Sequence, residues 1–321
     1  MLTPVQIVVV GVPNNSSGVR GGVAAAPAVL RRSGLLSTLA PVASVVDHGD
    51  VLVPEPTLVR DDATRIIDPQ GMTQMIRGVT EAVRAIVSAA AFPLVVGGDC
   101  PLILGCLEAL DRAVGPAGLL FIDGHEDAYP PDRSPTGEAA DMEMALALGM
   151  APAPWSRGRG PELPLLQPRD VVMLGPRDQD ALAREGVRSV ADRVRLVSDA
   201  ACNRDPGGSM AAALADLRHC RAGVWLHMDM DVLTTQAMSA VDYPQEGGLE
   251  WSTLRELVTT ALSDPLVVGW DVTVYNPDID PGHAHAAAIL EVLRAGAEAV
   301  SGRSAEIAGP AAQARAAAPR R

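Results

Sequence analysis

Short apolar runs alternate with longer Ala- and Leu-rich stretches along most of this chain, and that alternation limits the fold more than any other feature. An apolar run bounded by turn residues reads as a strand; an apolar stretch with helical periodicity reads as a helix. Strands that take turns with helices form βαβ units, and therefore a mostly parallel sheet. The expected strands are Val5–Gly11, Pro93–Gly97, Gly118–Asp123, Asp170–Gly175, Gly223–Asp231 and Leu266–Val272. The helical patterns include Thr73–Ala90, Pro101–Ala113, Met142–Gly149 and Ser252–Ser263. Several of the strands are apolar on both faces, as in a sheet covered by helices on both sides. Tyr129–Ala139 and Ala151–Pro168 read as loops, but neither has the composition of a domain linker. The expectation is a single α/β domain, three-layered α/β/α, over residues 1–301. The Ala/Arg/Pro-rich stretch Gly302–Arg321 is expected to be a disordered tail.

Composition narrows the function. At 48% hydrophobic and 20% charged residues, the 321-residue chain can bury a large core, and with 3% aromatics that core is packed mainly by aliphatic side chains. A formal net charge of −13 disfavours nucleic acid and anionic membrane as partners and leaves a small molecule. All 26 basic residues are arginine, which rules out a Schiff-base lysine and a Walker A lysine. Cys100, Cys106, Cys202 and Cys220 form no Cys-x-x-Cys pair. With no signal peptide and no long apolar span visible, a reducing cytoplasm is the expected location.

Three segments place metal-ligand residue types at the C-terminal tips of expected strands, where open parallel sheets bind ligands. In Gly97-Gly98-Asp99-Cys100 the glycines permit a sharp turn, after which Asp99 caps a helix or orients a ligand and Cys100 faces the site. In Asp123-Gly124-His125-Glu126-Asp127 an extended backbone would turn Asp123, His125 and Asp127 to one side. In His227-Met228-Asp229-Met230-Asp231 the same alternation puts His227, Asp229 and Asp231 on one face, with Trp225 continuing it. A buried strand carrying two carboxylates is costly unless a positive charge neutralises it. Arginine partners would serve, but two such strands in one sheet favour metal. Asp123, His125, Asp127, Asp229 and Asp231 are too many ligands for one small ion. Two ions sharing carboxylates would use them all and would activate water for hydrolysis without a covalent intermediate.

These motifs resemble those of the arginase, agmatinase and formiminoglutamase (ureohydrolase) family. Gly97–Cys100 matches that family's Gly-Gly-Asp-His turn, Asp123–Asp127 its Asp-x-His-x-Asp strand end, and Asp229–Asp231 with Gly247-Gly248-Leu249 its later acidic strand end. Lesser matches are Gly11-Val12-Pro13, Asp47-His48-Gly49-Asp50, and Asp271 ahead of Asn276-Pro277. The resemblance implies a three-layer fold around a parallel sheet, a dimanganese cluster, hydrolysis of guanidino-type C–N bonds, and a homo-oligomer, often a trimer or hexamer. It implies that Asp123 and Asp229 bridge the metals, that His125 and Asp231 hold one of them, and that Asp127 holds the other.

The departures concern the rest of the site. Cys100 stands where the family has its first histidine ligand; either its thiolate binds, favouring zinc, iron or cobalt over manganese, or Cys100 does not bind and the more weakly held metal is lost. His227 stands where a small residue is usual and is a candidate ligand, proton-transfer group or partner of a ligand. Thr136 falls near an expected substrate-binding serine, and Ala140 where a proton-shuttling histidine would be. Tyr129 and Tyr243 occupy other expected substrate positions, and Val274 replaces a glutamate that would pair with a guanidinium. Glu126, Glu138, Asp141 and Glu246 are acids expected near the mouth, while Gly282-His283-Ala284-His285 reads as a surface helix cap. The expected function is metal-dependent hydrolysis of a C–N bond in a guanidino, amidine or amide compound. Asp127 takes the proton-transfer role, and His227 is a second catalytic candidate. The alternative is a non-hydrolytic relative that binds a small molecule or a partner.

Overall fold

The computed structural model describes residues 5–303, which form one eight-stranded, wholly parallel sheet flanked by helices. The strands are β1 (Gln6–Val12), β2 (Ser44–Asp50), β3 (Phe92–Gly97), β4 (Gly118–Ile122), β5 (Val171–Leu174), β6 (Arg195–Val197), β7 (Val224–Asp229) and β8 (Val267–Thr273). Their spatial order is β2-β1-β3-β8-β7-β4-β5-β6. β2 lies on one side of β1 and β3 on the other, and β4, β5 and β6 continue beyond β3 in that direction, with β8 and β7 inserted between β3 and β4. A crevice opens at the C-terminal ends where a sheet changes direction in this way. The four strands at the change are the ones that carry the candidate ligands at or just beyond their tips.

On one face, α3 (Pro69–Ser88), α4 (Leu102–Val114) and α5 (Glu143–Ala147) pack through Ile76, Val79, Leu107 and Leu146 onto Val10, Val95, Phe121 and Trp225. The other face is covered by α1 (Ala26–Arg32), α2 (Leu35–Leu39), α8 (Pro206–Asp216), α9 (Trp251–Ser263) and α10 (Ala284–Ser301). These meet Leu94, Leu226, Met228 and Val272. The remaining short helices, α6 (Gln179–Arg184) and α7 (Asp199–Arg204), follow β5 and β6. Burial on both faces explains the near-continuous apolar runs of β3, β4, β5 and β7. One position is fixed by its neighbour: a Cβ at Gly269 would lie 2.0 Å from the Trp225 indole, so the paired strand must carry glycine there.

The interior strands match expectation to within a residue or two, and β2 and β6 were not expected. Both are edge strands, covered on fewer sides, so their sequences (Ser-Val-Val-Asp-His-Gly-Asp and Arg-Leu-Val) lack a full apolar run. The expected extended run through Asp127 is corrected: β4 stops at Ile122 and Asp127 has φ of 45°. Likewise β7 ends at Asp229, and Met230–Val232 forms a 3-10 turn capped by the Asp229 carboxylate. At the C-terminal end, Arg303 is anchored rather than loose: it donates to the carbonyls of Leu262 and Val267 and lies over Phe92. The rest of the expected tail lies outside the described residues. No helix among the described residues is long and apolar enough to cross a membrane.

Candidate metal centre

The tips of β3, β4, β7 and β8 converge on a buried group of carboxylates, two histidines and a thiol. Cys100, Asp123, His227 and Asp229 bring one ligand atom each within 4.8 Å of one another, and all four are buried. Asp123, His125 and Asp127 form a second such group, and Cys100, Asp127 and Glu143 a third. Asp231 joins through His125, whose Nδ1 lies 2.9 Å from Asp231 Oδ2. The six residues expected from sequence as ligands are therefore assembled, although the backbone achieves this by turning rather than by extending.

Local hydrogen bonds explain how the turns are held. The backbone N–H of His125 donates to Asp123 Oδ1 at 2.6 Å, and the N–H of Asp231 donates to Asp229 Oδ1 at 2.6 Å. Each acid thus fixes the loop that delivers its neighbour and keeps its other oxygen for the interior. Asp229 Oδ2 accepts from the Cys100 thiol at 2.8 Å. Asp99 accepts from the Ser16 and Cys100 N–H groups, which pins the turn that presents Cys100. Two residues at the site hold left-handed backbone: Asp127, and Val274 with φ of 63°, a conformation rare for a β-branched side chain. Val274 is held there by its N–H, which donates to the Gly98 carbonyl at 2.7 Å.

Whether these residues suit cations is answered by the atoms left over. Asp123 Oδ2, His227 Nε2 and both oxygens of Glu143 are buried without a hydrogen-bond partner. Asp127 faces Glu143, but two ionised carboxylates have no proton to share. Among the described residues, no arginine forms an ion pair with Asp123, Asp127, Glu143, Asp229 or Asp231. Arg177, the nearby cation, donates instead to backbone carbonyls of Asp231, Val232, Leu233 and Glu246. Unneutralised buried acids of this kind are strongly destabilising, and divalent cations satisfy them. The residues fit.

Protonation follows the same physics. Burial, together with the surrounding negative charge, pushes the Asp127, Glu143 and Asp229 carboxyls well above the usual range. Burial would also raise Asp123, but His125 and His227 on either side hold it well below its ordinary value. Burial lowers the two histidines, and the carboxylates beside them, Asp231 for His125 and Asp271 for His227, overcome that and raise both.

Above this floor opens a cleft of about 220 Å³. Its acids are Asp99, Asp127, Glu138, Asp141, Asp178, Asp229, Asp231 and Asp242, and no arginine among the described residues lines it. Tyr129, Thr136 and Tyr243, the expected substrate contacts, all line the cleft, as do Ala140 and Val274. Thr136 Oγ1 donates to Asp141 Oδ2 at 2.8 Å, and the Tyr243 hydroxyl donates to Glu138 Oε1 at 2.9 Å. The Tyr129 hydroxyl donates to Glu185 at 3.1 Å. Asp141 Oδ1 and Asp178 Oδ1 are buried and lack donors. Burial raises Glu138 to about 7 and Asp141 and Asp178 to about 6. His227 does not line the cleft. Of the four acids expected at the mouth, Glu138 and Asp141 are there. Glu126 is buried elsewhere, accepting from Val190 N–H, Ser189 Oγ and Gln179 Nε2, and Glu246 does not line the cleft. His283 and His285 sit at the start of α10, outside any ligand group among the described residues.

A sequence model of the arginase family matches residues 5–296. The chain belongs to the arginase family. The arginase of Bacillus caldovelox is 23% identical over 292 residues, spanning 89% of this chain and 96% of that one. The N(omega)-hydroxy-L-arginine amidinohydrolase of Streptomyces lavendulae is 28% identical over 253 residues, 78% of this chain and 85% of that one. The B. caldovelox arginase structure superposes with a TM-score of 0.79 at 22% identity, covering 94% of this chain and all of that one. The proclavaminate amidino hydrolase of Streptomyces clavuligerus superposes at 0.69, with 20% identity and 92% of each chain covered. The arginase-family fold is thus shared throughout.

Glu143, Asp178 and Asp242 are acids of the site that the sequence analysis did not single out. Glu143 opens α5 inside Met142-Glu143-Met144-Ala145-Leu146, a lone acid in an apolar run, and that isolation was the available signal. Asp178 follows β5 in a polar stretch, Arg177-Asp178-Gln179-Asp180, in which nothing distinguishes it from solvated acids.

Proposed function

We propose that this protein is a binuclear-metal hydrolase that cleaves a C–N bond in a cationic guanidino or amidine compound carrying no carboxylate. The carrying observation is the cleft lining. Eight acids, two of them with buried oxygens lacking any donor, surround a space that no arginine among the described residues lines. A guanidinium or ammonium supplies the donors those oxygens lack. An α-carboxylate would meet a predominantly acidic lining with no arginine to pair with it, so free arginine is a poor substrate. With Val274 in place of a glutamate, recognition falls to the other acids of the lining, Glu138, Asp141 and Asp178 among them.

Cys100, Asp123, His125, Asp127, Asp229 and Asp231 would hold the divalent ions, which when bound would supply charge stabilisation and activation of water at neutral pH. Manganese is the ion the family resemblance favours. The protein's own groups orient the substrate. Glu138 and Asp141 grip the cationic end, and Tyr243 and Thr136 fix those two carboxylates by hydrogen bonds. Asp127, on the cleft floor, is placed to take up a proton and return it to the leaving nitrogen, a task Ala140 cannot perform.

A screen of guanidino and amidine compounds with metal-loaded protein, read by mass spectrometry of products, tests this. Turnover of carboxylate-free cations well above turnover of arginine is expected. Faster turnover of arginine than of any carboxylate-free cation contradicts the reading of the cleft. The absence of any product with two metals bound favours the alternative, a non-hydrolytic relative, for which Ala140 and Val274 on the cleft wall are the supporting observations.

A further inference from the structure

One imidazole in the centre has no place in the ligand pattern that the motifs imply. His227 is completely buried, and its ring stacks on Phe121 with centroids 4.6 Å apart. Its Nδ1 lies 2.6 Å from Asp271 Oδ2, and the other oxygen of Asp271 accepts from the Trp225 indole N–H. Gly269 leaves the room in which Trp225 lies. This chain of contacts fixes the direction of the ring and, in its neutral form, the tautomer, so that on metal binding Nε2 gives up its proton and offers the lone pair. Nε2 has no hydrogen-bond partner, and neither has Asp123 Oδ2, which lies 3.7 Å from it. That gap is too long for a hydrogen bond. It is close to the roughly 3.4 Å that separates two donors each about 2.0–2.1 Å from one tetrahedral ion. A carboxylate gripping the far nitrogen is also the usual support of a metal-bound histidine.

We propose that the deep end of the centre is a four-donor site, formed by Cys100 Sγ, His227 Nε2, Asp123 and Asp229, that selects a zinc-class ion (zinc, cobalt or ferrous iron) over manganese. His227, reaching in from β7, supplies the imidazole that the β3 turn has lost by carrying Cys100. One sulfur, one nitrogen and two oxygens within 4.8 Å of one another suit tetrahedral coordination by a borderline-soft cation. The outer position, where Asp123, His125 and Asp127 bring ligand atoms within 4.8 Å of one another and Asp231 lies beside His125, has only nitrogen and oxygen donors. The two positions therefore differ in hardness, and the full centre holds unlike metals. Asp271 and Trp225 are positioning residues for the deep ion.

This proposal rests on the reading of the centre as a metal site, and the experiment separates the two. The full-length protein, stripped with chelator, is titrated with Co(II) and separately with Zn(II), followed by absorption and X-ray absorption spectroscopy. Expected are a thiolate-to-cobalt charge-transfer band at the first equivalent and one sulfur at about 2.3 Å from zinc. Cys100→Ser should abolish both. His227→Gln should keep the sulfur signal while weakening first-equivalent affinity at least tenfold, and Asp271→Asn should weaken it by about 10–100-fold. Circular dichroism controls for folding, and the wild-type spectra carry the test even if a variant does not fold. Two bound ions with no sulfur signal overturn this proposal alone, as does unchanged affinity in His227→Gln. Failure to bind any ion overturns this proposal and the metal-site reading together.

Discussion

Stripping divalent cations from the protein should make its stability fall as pH rises, because the buried acids then hold protons in the folded state that they lose on unfolding. Burial and neighbouring negative charge raise Asp127, Glu143 and Asp229 well above the ordinary range. In the unfolded chain the same groups titrate near about 4. Between those limits the native state binds more protons, so the stability present below about pH 4 is lost as pH climbs toward the raised values. Asp127 and Glu143 face each other and count as one shared proton, which with Asp229 makes about two protons. Each is a slope of about 1.4 kcal/mol per pH unit, so two protons give about 3 kcal/mol per pH unit between the unfolded and the raised values. Two pH units at that slope would rival the whole stability of a typical domain, about 5–15 kcal/mol. His125 and His227, raised by Asp231 and Asp271, act in the same sense: their contribution is full below about pH 6.5 and is lost as pH passes their raised values. Asp123 alone is lowered, and its contribution is lost only as pH falls through the acid range. The assay is urea unfolding followed by tryptophan fluorescence at several pH values between about 5 and 8, with and without added metal. A midpoint that falls with pH only in the metal-free protein is expected. A metal-free midpoint that is flat, or that rises with pH, refutes the reasoning.

Three other perturbations test separate parts of the structure. With a cationic substrate, KM should fall as pH rises through about 6 to 7, because Glu138, Asp141 and Asp178 must ionise to attract it. Glu138→Gln should raise KM several-fold and blunt that pH dependence, as read from initial-rate kinetics. Glu126→Ala leaves the Val190 N–H without its buried acceptor and should cost about 1–3 kcal/mol by chemical denaturation, with metal content unchanged. Gly269→Ala drives a methyl into Trp225 and should cost about 1–3 kcal/mol through overpacking. It should also lower metal affinity, read by competition with a chelating dye, because Trp225 holds Asp271 in place.

The sequence made the middle of the sheet legible and the rest less so, for physical reasons. β3, β4, β5 and β7 are covered on both faces, and burial forces apolar runs that any reader of the pattern meets. The edge strands β2 and β6 are under no such demand. The carboxylate motifs were visible because charge at a strand tip is rare, yet the turns that aim them were not. Asp127 takes left-handed backbone, and Asp231 lies within a 3-10 turn, where alternation suggested straight strands. Asp271 drew notice only as a family match. Its grip on His227 depends on the pairing of β7 with β8, a contact between residues far apart in the chain. Glu126 sits within a ligand motif and reads as a mouth acid, but the backbone turn sends it inward to cap Val190.

The central claim is that the crowded acids exist to hold cations, and metal content measures it most directly. The purified protein is saturated in turn with manganese, zinc and cobalt, freed of loosely held ions by gel filtration, and analysed by inductively coupled plasma mass spectrometry. Two equivalents of tightly held metal per chain are expected in the best-retained case. A folded protein that keeps none of the three contradicts it.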